Sequence, residues 1–307
     1  MAIVPVSPER PRLPAWFKRK LPENAESSTT NSIVRKHGLV TVCEEATCPN
    51  RQECWSKRAA TFMLMGHDCT RTCTFCDVGF TKTPPALDPT EPARLAAAIA
   101  ELDLHFAVIT SVNRDDLADG GAEHFAATIR AVRAQCPATL IEVLTPDFQG
   151  RQPDLNVVAA AKPDVFNHNL ETIGRLYPTV RPQARYQRSL DVLAHVKKTD
   201  PTIWTKSGIM VGLGETDDEV RWIMDDMRRS QVDIMTIGQY LRPSLKHHDI
   251  IRFVSPEQFE RYKVWGREAG FAHVASGPYV RSSYVAEEVL QGALDLKRLQ
   301  AGKPALN

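Results

Sequence analysis

The chain has 307 residues, 43% hydrophobic and 24% charged, with 38 Lys and Arg against 37 Asp and Glu for a formal net charge of +1. That composition suits a globular protein with a sizeable core, and so even a charge balance gives no global electrostatic argument for nucleic acid or membrane. No apolar run approaches the ~18 residues of a membrane span, and the first ten residues lack the charged start and apolar stretch of a secretory signal.

In chain order, residues 1–30 are rich in proline (Pro5, Pro8, Pro11, Pro14, Pro22) and read as an extended arm. Its basic residues Arg10, Arg12, Lys18, Arg19 and Lys20 make either a solvated face or a docking strip for an acidic partner. Residues 43–76 carry six of the seven cysteines. From residue 61 strands and helices alternate. Apolar runs predict strands at 61–65, 106–110, 140–144, 164–167, 203–211 and 234–237. Helical patterns fall at 91–102, 121–135, 153–161, 184–198, 215–230 and 256–269. Capping boxes mark two helix starts, Thr216 with Glu219 and Ser255 with Gln258, and Pro256 takes the first helical position of the second.

Six successive β/α units predict an α/β fold with a parallel sheet. A partial (β/α)6 TIM-type barrel is preferred to a doubly wound sheet, because a complete eight-unit barrel usually needs about 250 residues. The expected organisation is an N-terminal extension over 1–60, the partial barrel over 61–275, and a C-terminal segment with a terminal helix over 276–307.

The cysteines fall into two triplets: Cys43, Cys48 and Cys54 (C-x4-C-x5-C), then Cys69, Cys73 and Cys76 (C-x3-C-x2-C). Structural zinc closes with four Cys or His ligands, and ordinary iron–sulfur clusters take four cysteines. Three thiolates on a four-iron cluster leave one iron open to a substrate or cofactor. The alternatives are zinc completed by His37 or His67, and buried free thiols. Cys136, near the end of a helical pattern, reads as a structural or surface thiol. Thiol-ligated clusters require a reducing compartment, which points to the cytoplasm.

Polar residues gather just after the predicted strands, where a parallel barrel places its active site. Ser111, Asn113, Asp115 and Asp116 follow one strand; His168, Asn169 and Glu171 follow another; Gly212, Gly214 and Glu215 a third. Asp115 and Asp116 are expected to make loop hydrogen bonds rather than do acid–base work. The adjacent His247 and His248 are expected to be exposed loop residues.

The spacing Cys69-x3-Cys73-x2-Cys76 after a first strand, with Phe75 before the last cysteine, resembles the signature of radical S-adenosylmethionine (SAM) enzymes. Gly208-Ile-Met-Val-Gly212-Leu-Gly-Glu215 resembles the glycine-rich strand with which those enzymes contact adenine. Other segments resemble the lipoyl synthase family more narrowly: Cys43-Glu-Glu-Ala-Thr-Cys48 through Cys54-Trp55, Thr110 to Asp116, Asn167 to Thr172, and Arg281-Ser282-Ser283-Tyr284. The match runs in order from about residue 12 to the C-terminus. Val285 departs from the family's usual His, and Asn113 from its usual Asp.

That resemblance implies two four-iron, four-sulfur (4Fe–4S) clusters. Cys69, Cys73 and Cys76 would hold the one that binds and cleaves SAM, with Ser111, Asn113, Asn169, Glu171 and Arg185 as SAM contacts and Arg181 and Lys206 as weaker candidates. Cys43, Cys48 and Cys54 would hold an auxiliary cluster with a serine as fourth ligand, Ser283 rather than Ser282. The implied activity inserts two sulfurs, at C6 and C8, into an octanoyl chain on a lysine of a lipoyl carrier domain, with the auxiliary cluster as sulfur donor. The implied partners are that octanoylated domain (a 2-oxoacid dehydrogenase E2 or a glycine cleavage H protein), an external electron donor and an iron–sulfur assembly or repair protein. No nucleic acid or membrane is implied.

Overall fold

Among the described residues ten strands organise the fold: β1 (Val40–Thr41), β2 (Thr61–Leu64), β3 (Asp68–Cys69), β4 (Gly79–Phe80), β5 (Phe106–Ser111), β6 (Leu140–Leu144), β7 (Val165–Asn167), β8 (Trp204–Val211), β9 (Ile234–Gln239) and β10 (His273–Gly277). The structure is a computed structural model that describes residues 12–18, 26–284 and 286–300. Arg10, Arg19 and Lys20 of the basic strip, Pro5, Pro8, Pro11 and Pro22 of the arm, and Val285 lie outside those residues.

The main sheet runs β1-β2-β5-β6-β7-β8-β9-β10. β1 is antiparallel to β2, and every other neighbouring pair is parallel. β3 and β4 form a separate small ribbon. The sheet is open, with β1 and β10 at its edges, so the α/β partial barrel expected from the sequence is present without closure. It has seven parallel strands rather than six. The added one, His273-Val-Ala-Ser-Gly277, is made mostly of small residues with weak strand preference, which is why periodicity missed it.

The six predicted helices lie within two residues of their expected positions, for example Glu91–Leu102 and Asp217–Arg229. The box at Thr216 is complete: its hydroxyl accepts from the Glu219 N–H at 3.2 Å, and the Glu219 carboxylate accepts from the Thr216 N–H at 2.9 Å. Ser255 accepts from the Gln258 N–H at 3.3 Å.

Period-two alternation sorts the strand residues into two cores. Ala107, Ile109, Val143, Phe166 and Ile237 pack outward against Leu95, Ile99, Phe125, Leu193 and Met224 of the helices. Phe106, Val108, Val165 and Ile234 point inward, where Ala286, Val289, Leu290 and Ala293 of the last helix meet them. Each such burial of a large apolar side chain contributes about 1.5–3 kcal/mol. The C-terminal helix therefore plugs the N-terminal ends of the strands. Between that plug and the far end, Lys206 pairs with Glu142 at 2.8 Å, both almost fully buried, and Asn167 donates to the same carboxylate at 2.8 Å. At the far end, the carboxyl ends of the strands surround a cavity.

Candidate active site

The second cysteine loop grows from the end of β2. Met65 and Gly66, both with positive φ, turn the chain toward Cys69. The Cys69 sulfur accepts backbone N–H groups from Arg71 and Asn113, each at 3.4 Å. Arg71 grips Asp115 with two hydrogen bonds of 2.6 and 2.8 Å, and Arg114 pairs with Asp116 at 2.9 Å. Both aspartates are thus loop fasteners, as the sequence suggested. Burial first, with the neighbouring thiols of the triplet adding to it, raises the pKa of Cys73 and pushes Cys76 up to about 12. Thiols buried in this way are easier to hold as thiolates beside a strongly cationic centre, so the soft sulfur donors of this loop fit an iron–sulfur cluster.

The first triplet lies on two short helices, Val42–Glu45 and Arg51–Ser56, and the turn between them. Burial raises the pKa of Cys43, and burial first, then the thiols of Cys43 and Cys48, pushes Cys54 up to about 12. These thiols too are close enough to repel one another when charged. Thr47, between Cys43 and Cys48, donates to Asp77 at 2.8 Å and so ties this segment to the residue after Cys76.

The C-terminal segment reaches the same place. Asn50 donates to the Tyr279 carbonyl at 2.7 Å, and the Tyr284 hydroxyl donates to Glu53 at 2.9 Å. Gly238 on β9 permits this approach, because a Cβ there would stand 2.0 Å from the Val280 carbonyl oxygen. Ser282 and Ser283 consequently line the same cavity as Cys48, Cys69, Cys73 and Cys76.

That cavity, about 750 Å³, opens at the carboxyl ends of the strands. Ser111, Asn113, Asn169 and Glu171 line it. Ser111 Oγ, Asn113 Oδ1 and Asn169 Oδ1 are buried with no hydrogen-bond partner among the described residues. Buried polar atoms are normally paired, so these three fit a polar ligand. Glu171 takes a left-handed φ of +64°, which costs a non-glycine residue about 1–2 kcal/mol. Its N–H donates to the Gly208 carbonyl at 2.9 Å and its carbonyl accepts from the Met210 N–H at 2.8 Å, which docks it on β8. Burial raises the Glu171 pKa, partly offset by the Arg181 guanidinium and a hydrogen bond from Asn169. Gly208 leaves room in the cavity wall: a Cβ there would fall 2.4 Å from Thr236 Oγ1.

Not every candidate arrives. Arg185 is exposed where the helix Tyr186–Thr199 begins and does not line the cavity. Arg181 does line it, buried, and donates to the carbonyls of Asn169 and Leu170 at 2.8 and 3.0 Å. Lys206 is held by Glu142 below the cavity. His247 is not an exposed loop residue: it is half-buried, its Nε2 is 3.1 Å from the Cys76 carbonyl oxygen, and it faces the cysteine loop. His37 pairs with Glu101 at 2.8 Å, and His67 stands largely exposed beside Asp68. Among the described residues, no three His, Cys, Asp or Glu side chains gather around a point that would hold a single ion. Nor is any helix among them long and apolar enough to cross a membrane. Cys136 caps the helix Ala122–Gln135, half-buried, away from both triplets.

A sequence profile of the Radical SAM superfamily matches residues 63–227, more than half of the chain, and the protein belongs to that superfamily. Membership brings SAM and a 4Fe–4S cluster as cofactors. Solved structures share the fold at low sequence identity. Methylornithine synthase (PylB) matches with a TM-score of 0.55 at 13% identity, covering 80% of this chain and 82% of that one. HydG, a maturase of the FeFe-hydrogenase, gives 0.53 at 12%, covering 86% and 71%. SuiB of Streptococcus suis, bound to its precursor peptide SuiA, gives 0.52 at 10%, covering 81% of this chain but only 52% of SuiB, so the chain spans about half of that protein.

Proposed function

We propose that this radical SAM enzyme is a lipoyl synthase, inserting two sulfurs at C6 and C8 of a protein-bound octanoyl-lysine to give lipoyl-lysine. Cys69, Cys73 and Cys76 are the ligands of the SAM-binding cluster. Cys43, Cys48, Cys54 and Ser283 hold an auxiliary 4Fe–4S cluster that donates the sulfur. When bound, the first cluster and SAM supply a one-electron cleavage whose adenosyl radical takes hydrogen from an unactivated alkyl carbon.

The protein's own groups then orient and enclose. Glu171 and Asn169 accept the ribose hydroxyls, since a carboxylate suits the two donors of a diol. Ser111 and Asn113 face the methionine end. The segments at 42–49 and 280–283 line the cavity, and a bound acyl chain held against them would help keep water from the radical. The single observation that supports this reading is that Cys69, Cys73 and Cys76, Cys48 of the first triplet and the serine pair line one cavity, where an acyl chain would lie between them. The substrate is the octanoylated carrier domain, with an external reductant and an iron–sulfur repair protein as further partners.

The test is anaerobic incubation with SAM, a reductant and an octanoyl-lysine peptide, followed by mass spectrometry. A product bearing two added sulfurs is expected. SAM cleavage with no sulfur in the peptide contradicts the proposal.

A further inference from the structure

Arg71 lies inside the second cysteine loop, between Cys69 and Cys73, yet its side chain reaches away to the loops after β5 and β6. Its Nε and Nη2 donate to Asp115 at 2.6 and 2.8 Å, and Nη2 donates to Asp147 at 2.6 Å. The Arg71 side chain is 3% exposed and that of Asp147 0%. Asp147 also accepts from the Gln149 N–H at 3.1 Å and from Arg188 at 3.2 Å. Meanwhile the Arg71 N–H donates to the Cys69 sulfur. One residue therefore joins a candidate iron ligand to two strands of the barrel.

We propose that Arg71 is a positioning residue, with Asp147 as its buried anchor, that presets the Cys69–Cys76 loop on the barrel rim so that the cluster's open iron faces the SAM pocket. It rests on the assignment of Cys69, Cys73 and Cys76 made above, and not on the identity of the acyl substrate. A planar guanidinium can hold two carboxylates in fixed geometry, whereas a lysine offers a single point charge on a flexible stem. The network's contribution is geometric: two guanidiniums (Arg71, Arg188) interlock with two carboxylates (Asp115, Asp147) beside the cysteine loop. Neighbouring bonds reinforce the same register, since Thr70 donates to the Asn113 carbonyl and accepts from the Asp115 N–H, both at 3.0 Å.

The experiment uses the full chain, purified without oxygen, as wild type, Arg71→Lys and Asp115→Asn. The reduced protein is titrated with SAM, and the change in its electron paramagnetic resonance spectrum is followed, to which only a SAM-binding cluster responds. Melting of each variant is measured alongside. Arg71→Lys should keep a cooperative melt yet need at least tenfold more SAM for the spectral change, with the reduction potential nearly unmoved. Asp115→Asn, which removes the more exposed partner, should need only a few-fold more. A wild-type titration in Arg71→Lys overturns the proposal. So does loss of the cooperative melt in both variants, which would make the cluster of charges a general fold element. If the wild-type spectrum itself ignores SAM, the cysteine assignment falls first and takes this inference with it.

Discussion

The two cysteine segments are built differently. The loop 69–76 is fastened from several directions: by Arg71 to the loops after β5 and β6, by the Thr74 N–H to the Val180 carbonyl at 2.9 Å, and by His247 and the His248 N–H from the loop after β9. The segment 42–56 packs Cys43 and Trp55 into the main core but meets the rest of the site through single hydrogen bonds, Thr47 to Asp77, Asn50 to the Tyr279 carbonyl, and Tyr284 to Glu53. One triplet is part of the barrel rim. The other is a cover held to segments from both halves of the chain. On the proposed function, a centre that must survive many turnovers suits the first construction, and a centre that must give up sulfur suits the second.

The sharpest way to break this comparison is to delete one triplet at a time. Replacing Cys69, Cys73 and Cys76 by Ala should abolish SAM cleavage and sulfur insertion together. Replacing Cys43, Cys48 and Cys54 should abolish sulfur insertion while SAM cleavage persists, both read by chromatography of deoxyadenosine and mass spectrometry of the peptide. Next in size is Ser283→Cys. An oxygen ligand on iron is harder and more easily displaced than a thiolate, so the variant should hold its iron against chelator longer and make at least tenfold less product.

Glu171 sharpens the SAM side. Burial tilts Glu171 in the folded, SAM-free chain toward its protonated form relative to the unfolded chain. The sign follows: that preference is fully satisfied below the unfolded value of about 4.3 and becomes a cost as pH rises through the folded pKa. Glu171→Gln should therefore melt a few degrees higher at neutral pH. It should also bind SAM about tenfold or more weakly, the worth of a lost charge-assisted hydrogen bond of roughly 1.5–3 kcal/mol. Wild-type SAM affinity should rise with pH through the Glu171 titration, and that of the Gln variant should stay flat, by calorimetry. The smallest effect is expected from Tyr284→Phe, which removes one bond worth about 1 kcal/mol and should speed iron loss from the cover a few-fold.

Much of this was readable in the sequence, for local reasons. The helices announced themselves by period and caps, and the strands Leu140–Leu144 and Trp204–Val211 by their apolar runs. The thiol triplets were visible because spacing alone carries their chemistry. What escaped reading depends on distant partners. Nothing near Arg71 foretells that it will meet residues 44 and 76 positions away. Nothing at Arg185 shows that Arg181, four residues earlier, will be the arginine turned into the cavity, because the helix that starts at Tyr186 leaves Arg185 at its solvent-facing entry. His247 looked like one of an idle pair until the loop after β9 folded against Cys76.

The most direct test of the whole account is the origin of the sulfur. Clusters rebuilt with one sulfur isotope, in protein then assayed in a solution containing only another, should yield a peptide whose two new sulfurs carry the cluster's isotope. A peptide labelled from solution, or one that gains no sulfur while SAM is consumed, would contradict it.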